Sequence, residues 1–167
     1  MMKKYLLTFT FCSLLALSCS TDANTEVNAE TSFSLNGTWS LTDIRYENNT
    51  DNTDLIFAQQ ILEVLVDQSC DLTTFTFNAD GTVVAESKLE YLEFNAGANG
   101  LEVPCPEQSI IENSLWSLDG DQLTVINDQQ EEETITITFE GNNTFIISGE
   151  EVDASNYVGA DAVFTRQ

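Results

Sequence analysis

Few side chains of this sequence could perform covalent chemistry. Its 167 residues include no histidine, and 5 lysines and arginines stand against 28 aspartates and glutamates. Serines are plentiful, but a serine nucleophile needs a base beside it to accept its proton. A hydrolase that uses two carboxylates is the enzymatic alternative, although 28 acids on a small surface form such pairs by chance. We therefore predict that the protein is not an enzyme and carries no cofactor.

Carboxylates that could bind Ca²⁺ occur in two short motifs, Asp80-Gly81 and Asp119-Gly120-Asp121. Neither motif has the ligand spacing of an EF-hand. Asp-Gly is also one of the strongest signals for a tight β-hairpin turn, and that role accounts for both motifs. The sequence therefore predicts no metal site.

The four cysteines fall into two groups. Cys12 and Cys19 lie within or directly after an apolar leader. Cys70 and Cys105 form an even pair in what would be an exported domain, where thiols are normally oxidised. We expect these two to form a disulfide that ties the segment after the predicted helix to a long loop.

Residues 1–18 have the pattern of an export signal. Two lysines precede a mostly apolar run, Tyr5–Leu17, that is too short to span a bilayer as a stable helix. The sequence Leu15-Ala16-Leu17-Ser18-Cys19 resembles a bacterial lipobox, which implies cleavage before Cys19 and lipidation of its sulfur. An ordinary secretory signal with a chance cysteine is the alternative. Residues 19–33 are mostly small and polar and predict a flexible tether.

Loss of this leader would make the net charge of the chain more negative. The whole chain has a net charge of −23, and the leader contains two basic residues and no acidic one. Arg45, Lys88 and Arg166 are the cations that remain. Such a domain is repelled by phosphate backbones, so we predict no nucleic-acid partner. An anionic small ligand is disfavoured for the same reason.

The first predicted strand, Gly37–Tyr46, needs an irregularity. Trp39 and Ile44 are an odd number of residues apart, so in a regular strand they would lie on opposite faces. A bulge or bend near Asp43 would bring both to one face.

The one predicted helix covers residues 54–67. Leu55, Ala58, Leu62 and Leu65 recur at three- and four-residue spacing, which is typical of a helix with a buried face. Asp51 or Thr53 is the expected N-cap. We expect the helix to cover an open end of the sheet structure.

Alternating apolar residues and tight turns predict the other strands. Phe75–Phe77 leads into a hairpin turn at Asn78–Gly81, Val83–Phe94 follows as one long or two short strands, and residues 96–110, rich in Gly and Pro, predict a long loop. The remaining predicted strands are Leu115–Leu118, Leu123–Val125, Ile135–Phe139, Phe145–Ile147 and Tyr157–Thr165. The predicted fold class is all-β, an antiparallel up-and-down barrel of about eight strands with one helix after the first strand.

Gly37-Thr38-Trp39, at the start of the first strand, resembles the glycine-x-tryptophan signature of the lipocalin superfamily. The chain is also similar, over about residues 34–166, to the small lipocalin-like domains of bacterial envelope lipoproteins. The other matching pieces are Cys70 before Phe75–Gly81, Trp116–Leu123 and Phe164–Arg166. The resemblance implies a lipocalin-like domain at 34–167 with Gly37, Trp39 and Arg166 as its structural signature, Arg166 stacking on Trp39. It also implies that small apolar molecules bind inside the barrel.

The inward strand faces could either line a pocket or fill a closed core. The candidate ligand-lining residues are Phe75, Phe77, Trp116, Leu118, Ile135, Ile137, Phe139 and Phe145. The small size of the domain favours a largely filled interior.

These features predict a lipid-anchored lipoprotein of the cell envelope, in the outer membrane, that is a monomer and binds a small apolar molecule. Its membrane contact would be the lipid on Cys19. The alternative is a non-catalytic interaction or structural lipoprotein that binds a partner protein or a glycan through its acidic surface and the loop at 96–110.

Overall fold

The protein is described here from a computed structural model, which describes residues 33–46, 52–98, 100–153 and 157–167. The predicted signal at 1–18, the lipid site at Cys19 and most of the predicted tether lie outside the described residues.

The described chain contains ten strands and two α-helices, with a 3₁₀ turn at Leu89–Tyr91. The strands are β1 (Gly37–Tyr46), β2 (Thr73–Phe77), β3 (Thr82–Ser87), β4 (Asn95–Gly97), β5 (Gly100–Glu102), β6 (Ile110–Asp119), β7 (Gln122–Ile126), β8 (Glu132–Phe139), β9 (Thr144–Ser148) and β10 (Ala160–Arg166). The helices are α1 (Thr53–Asp67) and α2 (Gly149–Asp153).

Eight of these strands close into an antiparallel barrel. Their order around the barrel is β1, β10, β9, β8, β7, β6, β3 and β2, and β2 pairs with β1 to complete the ring. Strands β4 and β5 form a separate hairpin. The predicted fold class, an eight-stranded antiparallel barrel with a helix after the first strand, is confirmed.

Strand β1 contains the predicted bulge. Its pairing with β10 shifts register between Leu41 and Asp43, and the hydroxyl of the intervening Thr42 hydrogen-bonds that of Thr165 at 2.7 Å. The extra residue turns both Leu41 and Ile44 toward the apolar cluster beneath α1. The bulge therefore lets one strand contribute side chains both to the barrel core and to the cluster beneath α1.

Helix α1 has the predicted extent but a different N-cap. The side chain of Asn52 accepts hydrogen bonds from the backbone N–H groups of Asp54 and Leu55, at 3.1 and 3.3 Å. The predicted caps, Asp51 and Thr53, were wrong by one residue, which is within the usual uncertainty of a helix end. Helix α1 contributes Ile61, Leu62 and Leu65 to a cluster with Cys70, Leu72 and Val103, separate from the barrel core.

The predicted strand over Val83–Phe94 is half as long in the structure. Strand β3 ends at Ser87, where its last partners are Thr73 on one side and Ile110 on the other. Both neighbouring strands begin at those residues, so a longer β3 would leave its backbone groups unpaired. The chain instead turns through the 3₁₀ segment Leu89–Tyr91.

The predicted loop at 96–110 is partly regular. It contains most of the β4–β5 hairpin, and its last residue, Ile110, begins β6. Helix α2, between β9 and β10, was not predicted, because a five-residue helix carries no periodic signal.

Candidate binding cavity inside the barrel

One end of the barrel is closed around Trp39, which is fully buried. Its indole Nε1 donates a hydrogen bond to the carbonyl oxygen of Leu35 at 2.7 Å, which satisfies its only polar group. The guanidinium carbon of Arg166 lies 4.1 Å from the centroid of the Trp39 ring. The signature residues of the predicted family therefore meet at this closed end.

Arg166 also holds the chain segment that enters β1. Its guanidinium donates hydrogen bonds to the carbonyl oxygens of Ser34, at 2.6 Å, and Asn36. Gly37 follows with a φ of +124°, and a Cβ atom there would lie 2.7 Å from Nη1 of Arg166. Glycine is required at this position both for its backbone conformation and for the approach of the arginine.

Aromatic rings fill the barrel next to this closed end. Trp39 meets Phe145 edge-on, with ring centroids 5.0 Å apart, and Phe145 stacks on Phe164 at 4.9 Å. Phe77 meets Trp116 edge-on at 5.0 Å, and the indole N–H of Trp116 donates to the carbonyl oxygen of Asn78. Just outside, Phe33, at the end of the predicted tether, stacks on Phe139 at 4.7 Å. This half of the barrel is a packed core.

The other half contains a cavity of about 290 Å³. It lies at the end where β6 and β8 begin and where β3, β7 and β9 finish. The residues that line it are Phe75, Phe77, Val83, Ala85, Glu112, Ser114, Leu123, Val125, Glu133, Ile135, Phe145, Ile147, Glu151 and Val152. The wall is mainly apolar, as in most small-molecule sites.

The structure separates the predicted lining residues into two groups. Phe75, Phe77, Ile135 and Phe145 do line the cavity. The other four pack in or against the barrel core and are not among the residues that line the cavity; they are Trp116, Leu118, Ile137 and Phe139. Ile137, for example, is only 1% exposed. These four residues lie toward the closed end, where rings from opposite strands meet across the barrel axis.

Small inward-facing residues create the cavity, and sequence reasoning missed them. Ala85 pairs with Phe75 and follows Val83 on the same strand face, and Ser114 precedes Trp116 on the same face of β6. A small side chain opposite a large one leaves space that neighbouring strands do not fill. The sequence did carry a signal: Ala85 and Ser114 occupy inward positions of the alternating pattern, where a large apolar residue is the usual choice.

The charged groups at the cavity are all carboxylates. Glu112, Glu133 and Glu151 line it and are exposed, so they mark where the cavity meets solvent. The basic residues of the described chain lie elsewhere. Arg45 pairs with Glu140 at 2.8 Å, and the hydrogen bond between them raises the pKa of Arg45. Arg166 lies at the closed end, and Lys88 lies beside Cys105.

A second apolar cavity, of about 320 Å³, lies between α1 and the barrel wall. Its wall includes Leu41 and Ile44 from β1, Leu55 and Leu62 from α1, and Ala162 from β10. Val152, on the short helix α2, lines both cavities. Helix α2 therefore forms part of the wall of each.

A disulfide joins Cys70 to Cys105, with Cα atoms 5.8 Å apart, as the sequence predicts. Cys70 is buried in the cluster beneath α1, whereas Cys105 lies in the exposed segment that follows β5. The bond holds that segment against the helix and the start of β2. It does not contact the barrel cavity.

Among residues 33–46, 52–98, 100–153 and 157–167, no helix is long and apolar enough to cross a membrane. In the same residues, no three Cys, Asp or Glu side chains lie close enough together to hold a metal ion.

The chain was compared with protein families, curated proteins and solved structures. No family model and no curated protein matches it. Solved structures that are similar include a lipocalin-like protein from Bacteroides uniformis, 13% identical over 80% of this chain and 98% of that one, with a TM-score of 0.42. Another is an uncharacterized protein from Bacteroides eggerthii, 12% identical over 80% and 100% of the two chains, with the same TM-score. The protein's own strand order and cavity define its class, a closed eight-stranded barrel with a partly hollow interior.

Proposed function

We propose that this protein is a lipid-anchored lipoprotein of the bacterial envelope whose lipocalin-like barrel binds a small, largely apolar molecule. The observation that supports binding is the cavity between the aromatic core and the end of the barrel that carries the three glutamates. Ligand pockets are typically about 300–1,000 Å³, so a cavity of about 290 Å³ suits a small ligand. Apolar contact would supply about 25 cal/mol per Å² of surface removed from water, before the costs of association.

A filled-cavity variant tests this proposal. Ala85→Phe places a ring in the cavity, whereas Val84→Phe places the same ring on the outward face of the same strand. We expect neutral hydrophobes such as n-octanol to bind the wild-type domain and Val84→Phe with similar affinity, measured by calorimetry. Ala85→Phe should reduce binding at least about tenfold because its ring occupies the ligand's space.

Two outcomes would contradict cavity binding. In one, no neutral hydrophobe of this size binds the delipidated wild-type domain. In the other, Ala85→Phe binds as well as Val84→Phe while both variants keep the wild-type fold by circular dichroism. The second outcome would mean that the ligand binds elsewhere on the protein, for example in the apolar cavity under α1.

The proposed lipid anchor has its own test at Cys19. The basic start, the apolar run and the lipobox-like residues before Cys19 support the anchor. Cys19→Ala should accumulate as unprocessed precursor or as a released form in cell fractionation. Cys12→Ala, in the leader itself, is the matched control and should be processed normally. A Cys19→Ala protein that is still processed and extracted from membranes only by detergent would contradict lipidation.

An exposed apolar surface favours a second candidate function, binding of a partner protein or a glycan. Leu89 is 54% exposed and Phe94 is 50% exposed, and Phe94 contacts Phe57 of α1 edge-on at 5.1 Å. Exposed rings of this kind provide surfaces for sugars or apolar side chains. Phe94→Ser should then abolish binding to envelope glycans or to a cross-linked partner, whereas Ala85→Phe should leave that binding unchanged.

A further inference from the structure

The cavity under α1 lies at the same end of the barrel as the barrel cavity. Its wall includes Ile44, near the end of β1, and Ala160 and Ala162, at the start of β10. Ile44 and Ala162 are direct partners in the antiparallel pairing of these strands. The barrel cavity lies where β9 finishes, and β9 precedes β10 in the barrel, so the end of β9 and the start of β10 are at the same end. The two cavities are therefore neighbours.

The wall between the two cavities is thin where β9 pairs with β10. Ile147 of β9 lines the barrel cavity, and its direct partner Ala162 lines the cavity under α1. Directly paired residues have Cβ atoms about 4.5–5.5 Å apart. Ala162 also packs against the barrel core, so the cavity under α1 borders the barrel interior. At this point one pair of side chains separates the two spaces.

Val152 of α2 lies at the boundary between the cavities, because it lines both. Close packing holds α2 there: Gly149, at its start, is buried, and a Cβ atom on Gly149 would lie 2.9 Å from the carbonyl oxygen of Ala160. The side chain of Val152 is nevertheless 62% exposed. An apolar chain that passed from one cavity to the other would cover Val152 and remove its surface from water.

The size and charge of the two cavities define the ligand that would fill both. Their volumes, about 290 and about 320 Å³, are each at the lower end of the range for ligand sites, about 300–1,000 Å³. The charged residues that the structure places in their walls are all acidic; they are Glu112, Glu133, Glu151 and Asp161. An anionic head group is therefore disfavoured, and the mainly apolar walls favour an uncharged chain.

We infer that the two cavities are halves of one site, which binds a single uncharged lipid whose apolar chain runs from the barrel cavity past Val152 into the cavity under α1. This inference rests on the proposed function, since it names the chemical class of the ligand and extends the same site. Helix α1 then has a binding role, because Leu55, Ala58 and Leu62 form the wall of the second half.

Two neutral alcohols of different chain length test the inference on the wild-type domain. They are n-octanol and n-dodecanol, and calorimetry is performed by titrating the domain into each alcohol below its solubility limit. Each additional buried methylene tightens binding by about fourfold. If the four extra methylenes of n-dodecanol enter the second cavity, it should bind about a hundredfold more tightly than n-octanol, with one molecule per domain.

Matched variants on α1 locate the end of the chain. Ala58→Phe places a ring in the cavity under α1, whereas Gln60→Phe places the same ring on the exposed side of the helix. We expect Ala58→Phe to weaken n-dodecanol binding at least about tenfold and to change n-octanol binding by about twofold or less. Gln60→Phe should change neither. Circular dichroism checks that both variants keep the wild-type fold.

The outcomes distinguish this inference from the proposed function. If n-octanol binds but n-dodecanol binds no more tightly, or binds as two molecules per domain, the two cavities are not one site, and the barrel cavity alone remains the proposed site. These measurements use the wild-type domain, so they decide the question even if Ala58→Phe does not fold. Equal n-dodecanol affinities of folded Ala58→Phe and Gln60→Phe would also overturn the inference. If neither alcohol binds, the proposed function fails with it.

Discussion

The guanidinium of Arg166 lies over the indole of Trp39, with its central carbon 4.1 Å from the ring centroid. The same guanidinium donates to backbone carbonyl oxygens of Ser34 and Asn36. One side chain near the C-terminus therefore connects the first strand, the segment before it and the last strand. The contact closes the barrel at the end opposite the cavity.

Arg166→Gln should lower the free energy of unfolding by about 2–3 kcal/mol, because it removes a cation–π contact and charge-assisted hydrogen bonds to carbonyl oxygens. Arg45→Gln is the matched control. Arg45 makes an exposed ion pair with Glu140, and its loss should cost about 1 kcal/mol or less. Chemical denaturation measures both. Equal losses in the two variants would show that the stacking on Trp39 adds no stability.

Gly37→Ala should destabilise the protein through two separable effects. The φ of +124° strains any residue with a Cβ, and that Cβ would also meet Arg166. Gly100 has a φ of +114° with nothing near its missing Cβ, so Gly100→Ala measures the strain alone, about 1–2 kcal/mol. The additional cost at Gly37 should largely disappear in an Arg166→Gln background, as a double-mutant cycle would show. An additive cycle would contradict the proposed clash.

Reduction of the Cys70–Cys105 disulfide should destabilise the domain by about 3–4 kcal/mol, from the chain entropy of a 35-residue separation. The measurement is the Tm with and without a reductant. The double variant Cys70→Ala/Cys105→Ala is the control and should show no response to the reductant. A wild-type Tm that is independent of the reductant would mean that the bond constrains little of the unfolded chain.

Asp80 should contribute to the acid sensitivity of the protein. The hydroxyl of Thr82 donates to its carboxylate at 2.7 Å and the backbone N–H of Thr82 at 3.0 Å, and these bonds lower the pKa of Asp80 below the ordinary value of 3.8. Because the pKa is lower in the folded state, the stabilisation is fully present above pH 3.8 and is lost as the pH falls through the folded-state pKa.

NMR titration of the Asp80 carboxyl carbon tests this directly. Thr82→Ala should raise the pKa of Asp80 toward its ordinary value, and Asp80→Asn should make stability less dependent on pH in the acid range. A pKa of Asp80 that does not change in Thr82→Ala would exclude the hydroxyl as its cause.

Local patterns in the sequence were sufficient to predict the barrel. Alternation of apolar and polar residues located most strands, because side chains in a strand point to opposite faces in turn. The Asp80-Gly81 turn, the bulge after Leu41 and the helix over 54–67 also depend on residues close to one another in the chain. The pairing of Cys70 with Cys105 could be predicted because no other cysteine remained in the domain.

Contacts between distant strands decided what local patterns could not. Whether an inward side chain fills the core or lines a cavity depends on what faces it across the barrel, so Ile135 lines the cavity while Ile137 is buried in the core. The end of β3 was set by where β2 and β6 begin. Glu112 and Glu133 are a further example: in the chain they are two of 28 acidic residues, and only the closed barrel places both in the wall of one apolar cavity.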